Sequence, residues 1–286
     1  MKGLNNLGNT CYFNSCLQCL LHTPILSNYF LRHPYVGDCE FTKEYSETVK
    51  KFWTPGEKIL DTKNFLQIFR KFCKNFNNSH EHDSQECLLS ILDIMHKGTK
   101  NICLTNVDEP SNDIWSKKSN SLIKPLFYGQ VEKTIVYPDG KSKTFENFSN
   151  FLLFPPKNDM TLGQIIKEYF KDVVLSDYVD EKGKTHSCSV LQTSTTRVPP
   201  ICVFCFNMYI RKVRVTIPEQ IVINGTKYEL FALCEHLGTL RGGGHYRAFV
   251  KVSDTWWLKD DEVSIQQKPN LTNCFYFAMF KEIHLS

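Results

Sequence analysis

Cys11 is the residue of this chain best placed to act as a nucleophile. It stands in Gly8-Asn9-Thr10-Cys11-Tyr12, directly before a helical stripe, where the free amides of a first turn and the positive end of the helix dipole favour a thiolate. Cys16 and Cys19 continue along the same stripe, and a buried free cysteine ordinarily serves as a small apolar filler. A thiolate needs a base, and nine histidines are present. His245, in Gly242-Gly243-Gly244-His245-Tyr246, follows a flexible glycine loop at the start of an apolar run, which puts an imidazole at a strand end beside a cleft. His236 is the nearest competitor. The third role, a carboxylate that accepts the far ring N–H, falls to Asp260 or Asp261, which close the run Trp256-Trp257-Leu258-Lys259. Without the histidine, two adjacent aspartates would equally form a solvated turn. Asn6, on the loop before Cys11, can offer amide hydrogens to the oxyanion of a tetrahedral intermediate or close an ordinary Asx turn. Together these residues point to a thiol hydrolase.

The elements that must position them change character along the chain. Phe13, Leu17, Leu20 and Leu21 form an i, i+4, i+7, i+8 stripe that stops before Pro24, and Phe65, Phe69, Phe72 and Cys73 repeat it. Leu88, Leu89, Leu92 and Met95 mark a third helix, introduced by Asp83-Ser84-Gln85-Glu86, an acidic N-cap with a Glu three residues on. Residues 97–125 are polar and aperiodic and read as a surface insertion. Strands follow: one hairpin from Val131 to Phe148 around Pro138-Asp139-Gly140, another from Tyr178 to Leu191 around Lys182-Gly183-Lys184, and a short helix from Thr161 between them. Apolar runs at Ile201–Phe206, Val213–Ile217, Tyr228–Cys234, Tyr246–Val252 and Phe275–Phe280 complete an α+β pattern.

Composition narrows the function classes. The 286 residues are 42% hydrophobic and 22% charged, enough for a sizeable core in one large domain or two small ones. A net charge of +4 is too weak to make nucleic acid or an anionic membrane the expected partner. No apolar run approaches the roughly 18 residues of a membrane helix, and the first residues lack the apolar stretch of a secretion signal. A cytoplasmic or nuclear protein is expected, its twelve cysteines mostly reduced.

The segment Gly3-Leu4-Asn5-Asn6-Leu7-Gly8-Asn9-Thr10-Cys11-Tyr12-Phe13-Asn14-Ser15 resembles the Cys box of the ubiquitin-specific proteases, papain-like deubiquitinases. His82-Asp83-Ser84-Gln85-Glu86 resembles their second box, Phe127-Tyr128-Gly129 the entry to their fingers, and Gly242 to Tyr246 with Trp256 to Val263 their His box and its Asp. The resemblance spans nearly the whole chain and implies a thumb (1–126), mainly fingers (127–200) and a mainly palm region (201–286) around one cleft. Carried over, it makes Cys11 the nucleophile, His245 the base, Asp260 the orienting acid and Asn6 the oxyanion donor, with Asp261 supporting or substituting for Asp260. Asp83 and Glu86 match residues that bind the arginines of the ubiquitin tail, and Gly243, Gly244 and Tyr246 line its path. The implied partners are ubiquitin and ubiquitinated proteins, met by a monomer without a cofactor. A protease for another ubiquitin-like modifier and a non-catalytic ubiquitin-binding module are the alternatives.

One departure lies in the fingers. Where many relatives bind zinc through two Cys-x-x-Cys pairs, this chain has Tyr137, Gly140, Asp180 and Gly183, so no tetrahedral thiolate site is expected. Hairpin pairing and apolar contacts from Ile135, Phe145 and Val190 are expected to hold the finger tips instead. Leu240-Arg241-Gly242-Gly243 spells the end of ubiquitin, and its setting before His245 reads as a flexible loop beside the site.

Overall fold

The computed structural model describes residues 1–100, 102, 120–157, 159–208, 212–238 and 243–283. The N-terminal lobe runs β1 (Gly3–Leu4), α1 (Cys11–Leu21), α2 (Pro24–Arg32), α3 (Glu40–Trp53), β2 (Ile59–Leu60), α4 (Lys63–Phe72) and α5 (Ser84–Gly98). All of α1 is buried, so it is a central helix rather than an amphipathic surface one. Its polar side chains are tied inward; Gln18 Nε2, for example, donates to the Lys2 carbonyl at 3.1 Å. Pro24 does more than stop α1: it opens α2 within the first turn, where a missing N–H costs nothing. Phe41, Tyr45, Val49 and Phe52 give α3 its buried stripe, and Phe41 joins Phe13, Phe65 and Phe69 in an aromatic cluster between α1, α3 and α4. The cap of α5 rests on Asp83, whose carboxylate accepts the Gln85 and Glu86 amides at 2.7 and 3.0 Å, while Glu86 faces solvent.

Of the expected insertion, residues 101 and 103–119 lie outside the described residues. The remainder is structured: residues 97 and 98 finish α5, Lys100 bridges Ser121, and α6 (Ile123–Phe127) is buried throughout. Next come β3 (Gly129–Tyr137), β4 (Gly140–Phe148), β5 (Phe151–Leu153), β6 (Met160–Thr161), α7 (Leu162–Tyr169), β7 (Val173–Leu175), β8 (Tyr178–Val179), β9 (Thr185–His186) and β10 (Ser189–Arg197). The first hairpin folds as read, with Tyr137 opposite Gly140. The second does not. Asp180 accepts the Lys182 and Lys184 amides, both at 2.9 Å, and Gly183 takes φ +80°, so the chain turns tightly and pairing ends at His186. Strand β10 then pairs separately with β3 and β7, giving a four-stranded sheet ordered β4-β3-β10-β7.

The C-terminal strands are β11 (Ile201–Phe206), β12 (Val215–Thr216), β13 (Gln220–Ile223), β14 (Thr226–Gly238), β15 (Gly244–Val252), β16 (Thr255–Asp260), β17 (Val263–Gln266), β18 (Thr272–Asn273) and β19 (Phe275–Glu282). The main sheet is ordered β17-β16-β15-β14-β19-β11-β5, with β13 beside β14. Strand β11, Ile-Cys-Val-Phe-Cys-Phe, is buried along its length because its apolar run is covered on both faces. Helix α1 packs across β14, β15 and β16, and one hydrophobic core joins the helices to this sheet. That packing sets the start of α1 against the start of β15 and the end of β16. Among the described residues no helix is long and apolar enough to cross a membrane.

Candidate active site

Cys11 is the first residue of α1 and is buried. The backbone N–H groups of Tyr246 and Tyr12 reach its sulfur and favour the thiolate, but burial outweighs them, and the Asp261 and Glu81 carboxylates add to it. The thiol is therefore pushed up, not down as the helix start alone predicts. Cys16 and Cys19 are fully buried fillers on the same helix.

His245 is the second residue of β15, and its Nε2 lies 2.5 Å from Asp260 Oδ1 at the end of β16. The strand register explains the pairing: Ala248 stands opposite Lys259, so alternation sends His245 and Asp260 to one face and Lys259 to the other. Asp261 turns the chain between β16 and β17 with φ +48°, a conformation aspartate tolerates. Its carboxylate accepts the Asn6 side-chain amide at 2.7 Å on one oxygen and the Asn14 amide at 2.7 Å on the other. The two aspartates thus have separate partners, and the open choice between them falls to Asp260 for His245.

Asn6 closes the Asx turn considered for it. Its Oδ1 accepts the Gly8 N–H at 2.9 Å, closing an Asx turn, and its Nδ2 donates one hydrogen to Asp261, leaving the second for a ligand. The Asn6 N–H is also fixed, on Glu262 Oε1 at 2.6 Å. Asn14, which sequence reading passed over, lies three residues after Cys11, one helical turn along the same face; that spacing is the signal that could have found it.

His236 does not compete. It is buried on β14, its ring centroid 4.5 Å from that of Tyr246, and burial pushes its imidazolium down to about 4. It also explains Gly244, since a methyl there would sit 2.1 Å from His236 Nε2. Gly243 has φ +81°, which favours glycine, and the Gly244 N–H donates to Glu81 Oε2 at 3.0 Å. Residues 240–242 lie outside the described residues. Tyr246 is interior rather than lining an open path, its ring edge-on to that of Tyr276 with centroids 5.1 Å apart. Asp83 and Glu86 border a cavity of about 250 Å³ with Leu89, Leu152, Met208 and Tyr276, so acidic and apolar groups share one wall.

The family profile described as "Ubiquitin carboxyl-terminal hydrolase" matches residues 2–273, nearly the whole chain. The chain belongs to the ubiquitin carboxyl-terminal hydrolase family. It is 31% identical over 197 residues to putative ubiquitin carboxyl-terminal hydrolase 11 of Arabidopsis thaliana, covering 60% of this chain and 22% of that protein. It is 26% identical to ubiquitin carboxyl-terminal hydrolase 2 of Bos taurus over 99% of this chain and 55% of that protein. The chain therefore spans from about a fifth to about half of these curated relatives. Among solved structures, the SAGA Ubp8/Sgf11/Sus1/Sgf73 DUB module bound to ubiquitin aldehyde matches with a TM-score of 0.79 at 21% identity, covering 100% of this chain and 70% of the matched chain. The α+β fold is thus the papain-like fold of ubiquitin-specific proteases.

Within that family fold, the tip where the β3–β4 and β8–β9 turns meet, the expected finger tip, holds no thiolates among the described residues. Gly140 and Gly183 offer no side chain, the Tyr137 ring lies tilted against that of His186 with centroids 4.4 Å apart, and Asp180 is engaged by His186 Nε2 at 3.0 Å. These four positions do not fit a thiolate-held metal. His186 is buried between Asp180 and Asp139, with Lys184 also bonded to Asp139. The expected apolar contacts are secondary: Ile135, Phe145 and Val190 are only half-buried, and the tip is centred on a His–Asp–Tyr cluster that the search for Cys ligands missed.

Proposed function

We propose that the chain is a cysteine-dependent deubiquitinase, hydrolysing isopeptide bonds at the C-terminal glycine of ubiquitin through a thioester on Cys11. The observation that carries this reading is the division of labour between the aspartates: Asp260 bonds His245, while Asp261 bonds the side chain of Asn6 on the loop before α1.

The chemistry follows from which atoms are already engaged. Asp260 takes the Nε2–H of His245, so the lone pair is on Nδ1, and that nitrogen accepts the Cys11 proton. The sulfur attacks the glycine carbonyl carbon, and the oxygen that becomes negative receives the second Asn6 amide hydrogen. The protonated Nδ1 then gives its proton to the departing lysine amine as the C–N bond breaks, leaving the thioester. Water, losing a proton to Nδ1, attacks the thioester and releases the ubiquitin carboxylate with the Cys11 thiol regenerated. The cavity bordered by Asp83 and Glu86 suits a tail that alternates basic and apolar side chains.

The test is cleavage of a ubiquitin–lysine isopeptide substrate by the wild type and by Cys11→Ala. Cleavage by the wild type alone supports the reading. Activity only on another ubiquitin-like modifier moves the substrate, and tight ubiquitin binding without turnover favours a binding module.

A further inference from the structure

Lys259 precedes the orienting acid by one residue and points to the opposite face of the sheet, where it is almost fully buried, 1% exposed. Its Nζ donates to the Lys2 carbonyl at 3.1 Å and to Ser264 Oγ at 2.7 Å, both neutral partners. The rings of Phe52 and Trp257 lie 5.7 and 5.9 Å from it. Burial pushes its ammonium down to about 7. A buried amine with no compensating carboxylate among these contacts is costly where an apolar side chain would serve.

What it ties together are the two segments that frame the active site. Residues 2–6 run beside the turn from Asp260 to Val263: Leu4 N–H donates to the Asp261 carbonyl at 2.8 Å, and Asn6 bonds Glu262 and Asp261 as above. The fit is close, since a methyl on Gly3 would lie 2.1 Å from the Glu262 carbonyl oxygen. Lys259 belongs to the aspartate-bearing hairpin, where Ser264 stands opposite it and anchors its Nζ, and from there it reaches across to residue 2 of the other segment. A slip of one along the other displaces Asn6 relative to Cys11.

We propose that Lys259 is a positioning residue that sets the register of the Asn6-bearing segment against the aspartate-bearing turn, so that the Asn6 amide points at the developing oxyanion. The inference rests on the deubiquitinase reading for its kinetic consequence but not for its structural one. An acylated Cys11 whose carbonyl oxygen sits a fraction of an ångström off the Asn6 hydrogen loses rate without losing substrate binding.

The experiment has two arms, both using Lys259→Met, an apolar side chain of similar length. In the first, amide hydrogen exchange is followed together with the melting temperature. Exchange should quicken at residues 3–6 and 261–264 while the melting temperature holds or rises; unchanged exchange there overturns the proposal. In the second, turnover of a fluorogenic ubiquitin amide is measured for Lys259→Met in wild-type and Asn6→Ala backgrounds. The single variant should lose roughly tenfold in kcat with KM unchanged, a part of the roughly 10²- to 10³-fold that a whole oxyanion donor supplies. On Asn6→Ala the same change should cost less than about twofold, because the group being aimed is gone. Equal losses in both backgrounds overturn the route through Asn6. Should Lys259→Met melt lower than wild type, Ser264→Ala, which frees Nζ from its anchor within the hairpin and buries nothing new, must show the same direction of change in exchange and the same non-additivity. A wild type that does not cleave ubiquitin fails the functional reading, while the exchange arm still decides the positioning claim.

Discussion

Replacing each aspartate by asparagine should cost different things at positions 260 and 261, because the two carboxylates make different kinds of contact. Asp260 presents one oxygen to one donor, His245 Nε2 at 2.5 Å. An asparagine amide can rotate its oxygen into the same place, so orientation survives and only the charge is lost. A charged hydrogen bond is worth about 1.5 to 3 kcal/mol and a neutral one about 0.5 to 1.5. The pair is roughly one-third exposed, so the lower halves of those ranges apply. Asp260→Asn should therefore lose about 1 kcal/mol, roughly fivefold in kcat, whereas Asp260→Ala forfeits the whole bond, about tenfold or more. Asp261 uses both oxygens, each accepting an asparagine amide. Asparagine there must turn its own NH2 toward one of them, and a donor facing a donor leaves a polar group unpaired, at about 1 to 3 kcal/mol. The left-handed backbone does not confuse the comparison, since asparagine accepts it as readily as aspartate. Steady-state kinetics on a fluorogenic ubiquitin amide and melting temperatures for the three variants settle the matter. Asp260→Asn as damaging as Asp260→Ala, or Asp261→Asn silent in both readouts, refutes the reasoning.

The remaining expectations are more local. Because burial raises the Cys11 thiol, its alkylation by iodoacetamide in the free protein should be slow near pH 7 and climb above pH 9; a plateau already reached at neutral pH contradicts the burial argument. His22 is buried with its ring on the Gln18 carbonyl, and burial pushes it down to about 3. Its folded value is depressed, so the stability it permits is whole above about pH 6.5 and is lost between there and about pH 3, on the order of 5 kcal/mol. His22→Phe should flatten the fall of melting temperature over that window, and an unchanged slope would remove His22 as its cause. Asp83→Ala should lower stability by about 0.5 to 2 kcal/mol as a lost cap, as well as kcat/KM. Glu86→Ala should leave the melting temperature in place and lower kcat/KM by roughly 10- to 150-fold if its exposed carboxylate meets a tail arginine. Unchanged kinetics for both would leave only the cap.

The positions of Cys11 and His245 were legible because each follows a local rule, a polar turn before an apolar helix and a glycine run before a strand. The thiol's protonation was not, since a helix start concerns one helix, whereas burial depends on the sheet packed against α1, with the Asp261 and Glu81 carboxylates adding to it. The residues alone left the aspartate pair open, and only the resemblance chose Asp260; the physical reason for the division lies in the β15–β16 register and the closeness of residues 3–6 to the turn. In the fold, α3 was visible in principle from Phe41, Tyr45, Val49 and Phe52, and α2 was hidden because Pro24 reads as a stop. The finger tip eluded sequence reading because His186 gains its meaning only when the β3–β4 and β8–β9 turns meet.

The central claim is that Cys11 attacks the C-terminal carbonyl of ubiquitin, and an electrophilic probe measures that attack directly. Wild type, Cys11→Ser and His245→Ala would be treated with ubiquitin carrying a C-terminal alkyne warhead, alongside matching probes built on related modifiers, and the adduct located by peptide mass spectrometry. The account predicts a single ubiquitin adduct on Cys11 in the wild type, none in Cys11→Ser and slowed labelling in His245→Ala. An adduct on Cys16, Cys19 or any other thiol, or a wild type that ignores the ubiquitin probe, would contradict it.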